Sequence, residues 1–92
     1  MTKIILEGHI EVPEGELEAV LAELPNHVAL TLGEPGCIEF QVNERPNEPG
    51  VFDVYERFES QSAFDAHQLR VRDSRWGAVT ANVSRHYQIR TV

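Results

Sequence analysis

Two ionisable side chains occupy apolar positions of periodic segments in the second half of the chain. Glu56 is in phase with three apolar residues of an alternating segment, namely Phe52, Val54 and Phe58. His67 is in phase with two apolar residues at helical spacing, Phe64 and Val71. Burying a carboxylate without a partner costs several kcal/mol or raises its pKa. Because an imidazole can transfer a proton near neutral pH, we predict a catalytic pair of His67 and Glu56 in a pocket between sheet and helix.

Aromatic side chains would form the wall of such a pocket. The predicted substrate-binding residues are Trp76, Phe40, Phe52 and Phe64. A purely structural interpretation also fits the residue types. In that interpretation Glu56 pairs with Arg85, which is also in phase on the core side, His67 fills a polar gap, and Trp76 fills the core.

Several other kinds of chemistry lack their sequence patterns. The four histidines, at positions 9, 27, 67 and 86, show no HxH, HExxH or His/Cys ligand spacing, so we predict no metal site. Cys37 has no neighbouring base in the sequence and no cysteine partner, so we predict that it is an unreactive, small hydrophobic residue. No glycine-rich phosphate loop is present, so a dinucleotide is excluded. We predict no bound cofactor.

Composition limits the size of the protein and its partners. The chain has 92 residues, 41% of them hydrophobic, which predicts one domain over residues 1–92. Fifteen acidic and eight basic residues give a net charge of −7, so nucleic acid and anionic membranes are poor partners. No apolar run approaches the ~20 residues that span a bilayer, and no signal peptide is recognisable. Together with the single cysteine, this predicts a cytoplasmic protein.

Periodicity places these residues on six main elements in the order β-α-β-β-α-β. The predicted elements are a strand over 3–12, a helical segment over 17–33, strands over 37–43 and 51–59, a helix over 61–73 capped by Ser60, and a strand over 83–89. Pro25 predicts a kink or break near Leu24, and a short helical turn is expected around 78–81. The order predicts an α+β, ferredoxin-like fold, a four-stranded antiparallel sheet with helices on one face.

The two faces of this sheet differ in composition. The predicted core face carries Ile4, Leu6, Ile10, Ile38, Phe40, Val42, Phe52, Val54, Phe58, Tyr87 and Ile89. The other face carries Ile5, Cys37, Val51 and Tyr55 among polar residues that include Glu7, His9, Asp53 and His86. Because moderately polar subunit interfaces have this mixture, we predict a homodimer packed sheet against sheet. The alternative is a solvated face with scattered apolar side chains.

Four motifs follow one another along the chain: EPGC at 34–37, PG-x-F at 49–52, YE-x-F at 55–58 and AFDAH at 63–67. In this order they resemble the antibiotic biosynthesis monooxygenase family, and most closely its small quinol-monooxygenase-like members. The resemblance implies a dimeric α+β barrel with a pocket between sheet and helices. Some relatives oxidise hydroxylated aromatics with O2 and without metal or flavin. His67 matches the family's helix histidine, Glu56 its strand carboxylate, and Trp76 would be an aromatic wall.

The sequence departs from the family pattern at two places, and each departure disfavours one type of reaction. Many members carry a second histidine shortly after the AH pair, whereas residues 68–74 contain none, which disfavours a two-histidine mechanism. The haem-degrading branch uses an asparagine on the first strand, and residues 3–12 contain none. Haem degradation is therefore disfavoured.

Three functions stay open at this point. The first is a cofactor-independent monooxygenase acting on a quinol or other hydroxylated aromatic. The second is an isomerase or another proton-transfer enzyme acting on a small carbonyl compound, which the same pocket could support without O2. The third is a non-catalytic, dimeric ligand-binding module.

Overall fold

Four antiparallel strands form one sheet in the computed structural model, which describes residues 2–92. The strands are β1 (Ile4–Glu11), β2 (Cys37–Glu44), β3 (Val51–Phe58) and β4 (Ser84–Thr91). The helices are α1 (Leu17–Leu32), preceded by a 3-10 turn over Glu14–Glu16, α2 (Gln61–Arg72) and α3 (Arg75–Val79). The strand order β2-β3-β1-β4 confirms the ferredoxin-like α+β fold. Of the helices in the described part of the chain, none is long and apolar enough to cross a membrane.

The buried core lies between one face of the sheet and the helices. Strand alternation sends the side chains of Leu6, Phe52 and Phe58 to this face, where each is almost completely buried. Val20 of α1, Phe64 of α2 and Trp76 of α3 complete the same cluster from the helix side. Both predicted functional residues, Glu56 and His67, are also buried there.

Two predicted core residues lie outside this core. Ile38 is 41% exposed because the register of β2 against β3 shifts between Cys37 and Glu39, and the shift turns Cys37 toward the core instead. Ile89 is 56% exposed because β4 is an edge strand that pairs only with β1, and the helices leave it largely uncovered. The predicted core positions of Ile38 and Ile89 were therefore wrong.

Of the predicted kink or break near Leu24, the break was wrong, since α1 continues through Pro25 from Leu17 to Leu32. Proline removes one hydrogen bond, the one to the carbonyl of Leu21, and Leu21 lies on the exposed side of the helix, where water can replace it. The stripe that faces the core is continuous on both sides of the proline. Its members are Leu17, Val20, Leu24, His27, Val28 and Thr31. The free energy gained by burying this stripe is larger than the cost of the lost backbone hydrogen bond.

Two serine caps determine where the later helices begin. The Ser60 hydroxyl accepts a hydrogen bond from the Ala63 backbone N–H at 3.1 Å, which confirms the predicted start of α2. Ser74 accepts one from Gly77 N–H at 3.2 Å, so α3 begins at Arg75, earlier than predicted. At Gly77 a Cβ atom would lie 2.4 Å from the Val71 carbonyl oxygen. The glycine thus lets α3 approach the end of α2 and brings Trp76 into the core.

Candidate active site

His67 lies at the centre of a largely buried group of polar side chains, the buried polar cluster, which also contains Glu34, Glu56 and Arg70. It lies on the stripe of α2 that faces the sheet, in phase with Phe64, and is 3% exposed. Its ring centroid lies 4.9 Å from that of Phe58 and 5.9 Å from that of Phe40. The imidazole therefore has an apolar environment in which hydrogen bonds to its two nitrogens decide its protonation.

A carboxylate from the turn after α1 holds one nitrogen of this ring. Glu34 Oε1 lies 2.7 Å from His67 Nδ1, and Glu34 Oε2 accepts a hydrogen bond from Arg70 Nε. Arg70 Nη2 in turn donates to Thr31 Oγ1 at 3.0 Å, and Thr31 donates to the His27 carbonyl at 2.8 Å. A carboxylate can only accept a hydrogen bond from Nδ1–H. The neutral imidazole consequently presents an unprotonated Nε2, the arrangement that suits a general base.

Glu56 approaches the other nitrogen from β3. Its Oε1 lies 3.7 Å from His67 Nε2, which is too long for a hydrogen bond, and within residues 2–92 this oxygen has no hydrogen-bond partner. Burial, and secondly the charge of Glu34, raises the pKa of Glu56 to about 8. Glu56 is therefore mainly protonated at neutral pH. Arg85, its partner in the structural alternative, donates instead to the Thr80 carbonyl and hydroxyl and to the Val83 carbonyl.

The same buried surroundings shift the pKa of His67 in the opposite direction, downward. Burial lowers the pKa of His67, although the hydrogen bond that His67 donates to Glu34 partly opposes that effect. Neutral imidazole beside a protonated carboxylic acid is thus the favoured state near pH 7. Raising the pKa of Glu56 while lowering that of His67 reverses the usual order of the two groups, a pattern by which one site holds both a base and an acid.

His27 extends the cluster and was not among the predicted site residues. It stacks on Trp76 with ring centroids 4.5 Å apart and an interplanar angle of 5°. Burial, followed by the charges of His67 and Arg70, lowers the pKa of His27 to about 3, so this imidazole is neutral at all physiological pH values. Its helical phase with Val20 and Thr31 was a signal in the sequence that could have identified it.

A cleft of about 220 Å³ opens beside the Glu34–His67 pair. It is lined by Glu34, Pro35, Ala63, Ala66, His67 and Arg70. A cavity of roughly 150 Å³ is enough to bind benzene, so this cleft has room for one aromatic ring with its substituents. Gly36 shapes the neighbouring turn, since at its positive φ of 88° a Cβ would lie 2.6 Å from Ala63 Cβ.

Of the predicted site residues, His67 lines the cleft, and the others do not. His67 contacts both Glu56 and the cleft, whereas Glu56 lies behind the imidazole and does not line the cleft. The four aromatic residues predicted to bind substrate are all buried in the core and do not line the cleft either; they are Phe40, Phe52, Phe64 and Trp76. Glu34 was missed, because 33 residues separate it from His67 and no local spacing signals the contact.

The opposite face of the sheet holds a larger concavity of about 520 Å³. Polar side chains predominate around it, among them Asp53, Tyr55, His9 and His86. His9 and His86 lie directly opposite each other on β1 and β4, and Glu11 is adjacent. Ligand spacing within one segment of the sequence cannot reveal this cluster, because the pairing of β1 with β4 assembles it.

Comparison with known proteins identifies relatives at the level of family and fold. The family model described as antibiotic biosynthesis monooxygenase matches residues 3–70. The crystal structure of PA3566 from Pseudomonas aeruginosa has a TM-score of 0.79 and 22% identity, with 100% of this chain and 93% of that chain covered. A structure described as an antibiotic biosynthesis monooxygenase has a TM-score of 0.76 and 20% identity, covering 100% and 96%.

A third solved structure, protein SO0527 from Shewanella oneidensis, has a TM-score of 0.69 and 23% identity, with 99% of this chain and 88% of that chain covered. At these identities the likeness to solved structures shows the fold alone. No curated protein sequence matches the chain significantly.

Proposed function

The chain belongs to the antibiotic biosynthesis monooxygenase family, and from that premise we propose that it oxidises a quinol or another hydroxylated aromatic with O2 as a cofactor-independent monooxygenase. The observation that carries the proposal is the hydrogen bond from His67 Nδ1 to Glu34 beside a ring-sized cleft. This bond leaves Nε2 free to accept a proton, and because Nε2 faces Glu56 behind the ring, the transfer requires a substrate hydroxyl to reach from the cleft to that side of the imidazole.

Deprotonation is the step that the protein must catalyse. A phenolate or quinolate is a stronger electron donor than the neutral hydroxyl compound, so the anion can reduce O2 directly. In the balanced reaction a quinol and O2 give a hydroxyquinone and water. The substrate loses four electrons in total, one oxygen atom forms the new ring C–O bond, and the other accepts two protons and leaves as water.

The residues around His67 have distinct roles in this proposal. Glu34 fixes the imidazole tautomer, and Arg70 holds Glu34 in place through the opposite carboxylate oxygen. Glu56 is the supporting partner of His67, a protonated carboxyl 3.7 Å from Nε2 that lies behind the imidazole and acts on the substrate only through that ring. Phe40, Phe52, Phe64 and Trp76 do not contact the cleft, and their role is to bury the side of the His67–Glu56 pair that faces the core.

We also propose that this single domain acts in the cytoplasm as a homodimer joined through the open face of the sheet. Val51 and Tyr55, both half-buried, place apolar surface among polar groups there, a mixture found in subunit interfaces. Light scattering tests this part separately. A particle of about 21 kDa, twice the chain mass of 10.4 kDa, is expected, and a 10 kDa particle at micromolar concentration contradicts it.

Oxygen uptake with a panel of monocyclic quinols tests the reaction. The unmodified protein should exceed the autoxidation background, and His67→Ala should reduce the excess at least tenfold. Gln68→Ala is the matched control, because Gln68 is the exposed neighbour on the same helix. Circular dichroism establishes that each variant folds, and His67→Gln serves as a second variant if alanine disrupts the core.

The same pair of titratable groups supports the second candidate, a proton-transfer enzyme acting on a carbonyl compound. Product formed from such a substrate under anaerobic conditions would favour it over the monooxygenase. Ligand binding in the cleft with no turnover of either kind would favour a binding module.

A further inference from the structure

Three metal-binding side chains converge at one end of the sheet, on the face opposite the candidate active site. His9 and Glu11 project from the same face of β1 because they are two residues apart, and His86 is the direct partner of His9 on β4. Glu11 Oε2 lies 3.1 Å from His9 Nε2 and 3.3 Å from His86 Nε2. We propose that His9, Glu11 and His86 bind a divalent transition-metal ion of the zinc class.

The spacing of the three donor atoms matches what such an ion requires. The three ligand atoms all lie within 4.8 Å of one another. In a tetrahedral zinc site with bonds of about 2.0–2.1 Å, neighbouring donors are separated by roughly 3.3–3.4 Å. The two separations from Glu11, 3.1 and 3.3 Å, fit this spacing, and rotation of the imidazoles must set the third separation, between His9 and His86. Two imidazoles and one carboxylate favour zinc and similar ions over calcium or magnesium, which prefer oxygen ligands only.

The backbone positions the two histidines for this purpose. Both Nε2 atoms approach the same carboxylate oxygen, but the rings stack with centroids 4.6 Å apart and an interplanar angle of 14°, so the imidazoles must rotate about their side-chain torsions before both in-plane lone pairs can point to one ion. Gly8, which precedes His9, allows β1 and β4 to approach closely, because a Cβ there would lie 1.9 Å from the His86 carbonyl oxygen. Any other residue at this position would force the strands apart and separate the imidazoles.

The ligand set leaves a coordination position for water or a small ligand. Three protein ligands with an open fourth position are typical of zinc sites that bind exogenous molecules. His9 and His86 both line the 520 Å³ concavity on the open face of the sheet, and the proposed dimer would enclose this space together with the ion. All three ligands belong to one chain, so the site does not depend on the proposed dimer or on the chemistry around His67.

Metal titration of chelator-treated protein tests the proposal. Calorimetry with Zn²⁺ should give one ion per chain, and Co²⁺ should show the visible absorption of a cobalt ion bound by nitrogen and oxygen. His9→Ala and His86→Ala should each weaken Zn²⁺ affinity at least tenfold, and Glu11→Gln should also weaken it. Glu7→Gln is the matched control, since Glu7 lies on the same face of β1 but outside the cluster; it should leave affinity unchanged.

Two outcomes would overturn the site. One is the absence of Zn²⁺ binding at 100 µM ion near neutral pH. The other is binding that persists unchanged in both histidine variants, or that is lost in His67→Ala, which would assign the ion to another place. His86→Asn replaces His86→Ala if alanine disturbs β4. Oxygen uptake by the His9 variant should equal that of the unmodified protein, so failure of this proposal and failure of the monooxygenase proposal are distinguishable.

Discussion

His67 Nδ1 lies 2.7 Å from Glu34 Oε1, across the gap between α2 and the turn that follows α1. This hydrogen bond links two segments that are far apart in the sequence and selects the imidazole tautomer. It also makes Glu34 part of the site, together with Arg70, which binds the second carboxylate oxygen. The bond therefore contributes both to the stability of the fold and to the proposed chemistry.

Glu34→Gln should lower the rate of oxygen uptake at least tenfold and shift its pH profile. The amide that replaces the carboxylate has no negative charge to stabilise the imidazolium formed on proton transfer. Losing hydrogen bonds to a charged group should also reduce the free energy of unfolding by about 1.5–3 kcal/mol. Glu18→Gln, an exposed change on α1, is the control for urea denaturation and should stay within about 0.5 kcal/mol. An unchanged pH profile would remove Glu34 from the mechanism.

Glu56→Gln should abolish a decline in stability with rising pH. The pKa of Glu56 rises from 4.5 to about 8 on folding, so the native state binds more protons than the unfolded state between these values. Stability contributed by the protonated group is therefore complete below pH 4.5 and is lost as pH rises through 8. Urea denaturation at pH 5 and pH 8 measures the effect. The unmodified protein should lose more stability over this interval than the variant, and parallel losses would show that Glu56 is not the group responsible.

His27→Phe should reduce the loss of stability in acid. The pKa of His27 falls from 6.5 to about 3 on folding, so the unfolded state binds the extra proton in between. Stability is consequently lost as pH decreases from 6.5 toward 3, and a neutral ring without a titrating nitrogen removes that contribution. Thermal denaturation at pH 4 and pH 7 should show a smaller difference for the variant. A difference equal to that of the unmodified protein would contradict burial as the cause.

Gly77→Ala should destabilise the protein, although alanine is the better helix former by about 0.8–1.0 kcal/mol. The added Cβ would lie 2.4 Å from the Val71 carbonyl oxygen, so α3 must move away from α2. We expect a loss of about 1–3 kcal/mol in the free energy of unfolding. Gly15→Ala is the matched control, because a Cβ there meets nothing within 4 Å. Stabilisation by Gly77→Ala would mean that the helices tolerate the movement.

The sequence predicted the elements and the family because hydrophobic periodicity and motif order are local signals. It identified His67 and Glu56 for the same reason, since each occupies an apolar phase of its own element. It did not identify Glu34, whose contact with His67 depends on how the turn packs against α2. Ile38 was assigned to the wrong environment because a register shift reverses alternation without altering residue types.

Pro25 shows that tertiary packing can override a local sequence signal for a helix break. Its effect on the helix is unfavourable by itself, yet the core-facing stripe on both sides is buried only if α1 continues. The cluster of His9, Glu11 and His86 shows the same limit across strands, because β1 and β4 are the first and last strands of the sequence and become neighbours only in the sheet.

The stacking of Trp76 on His27 supplies an optical reporter of this site. Trp76 is the single tryptophan of the chain, so all indole emission originates 4.5 Å from an imidazole that neighbours His67. Protonation or displacement of that imidazole changes the quenching of the excited indole. Intrinsic fluorescence can therefore follow changes in the packing around His27 and His67 in real time, without a label and without turnover.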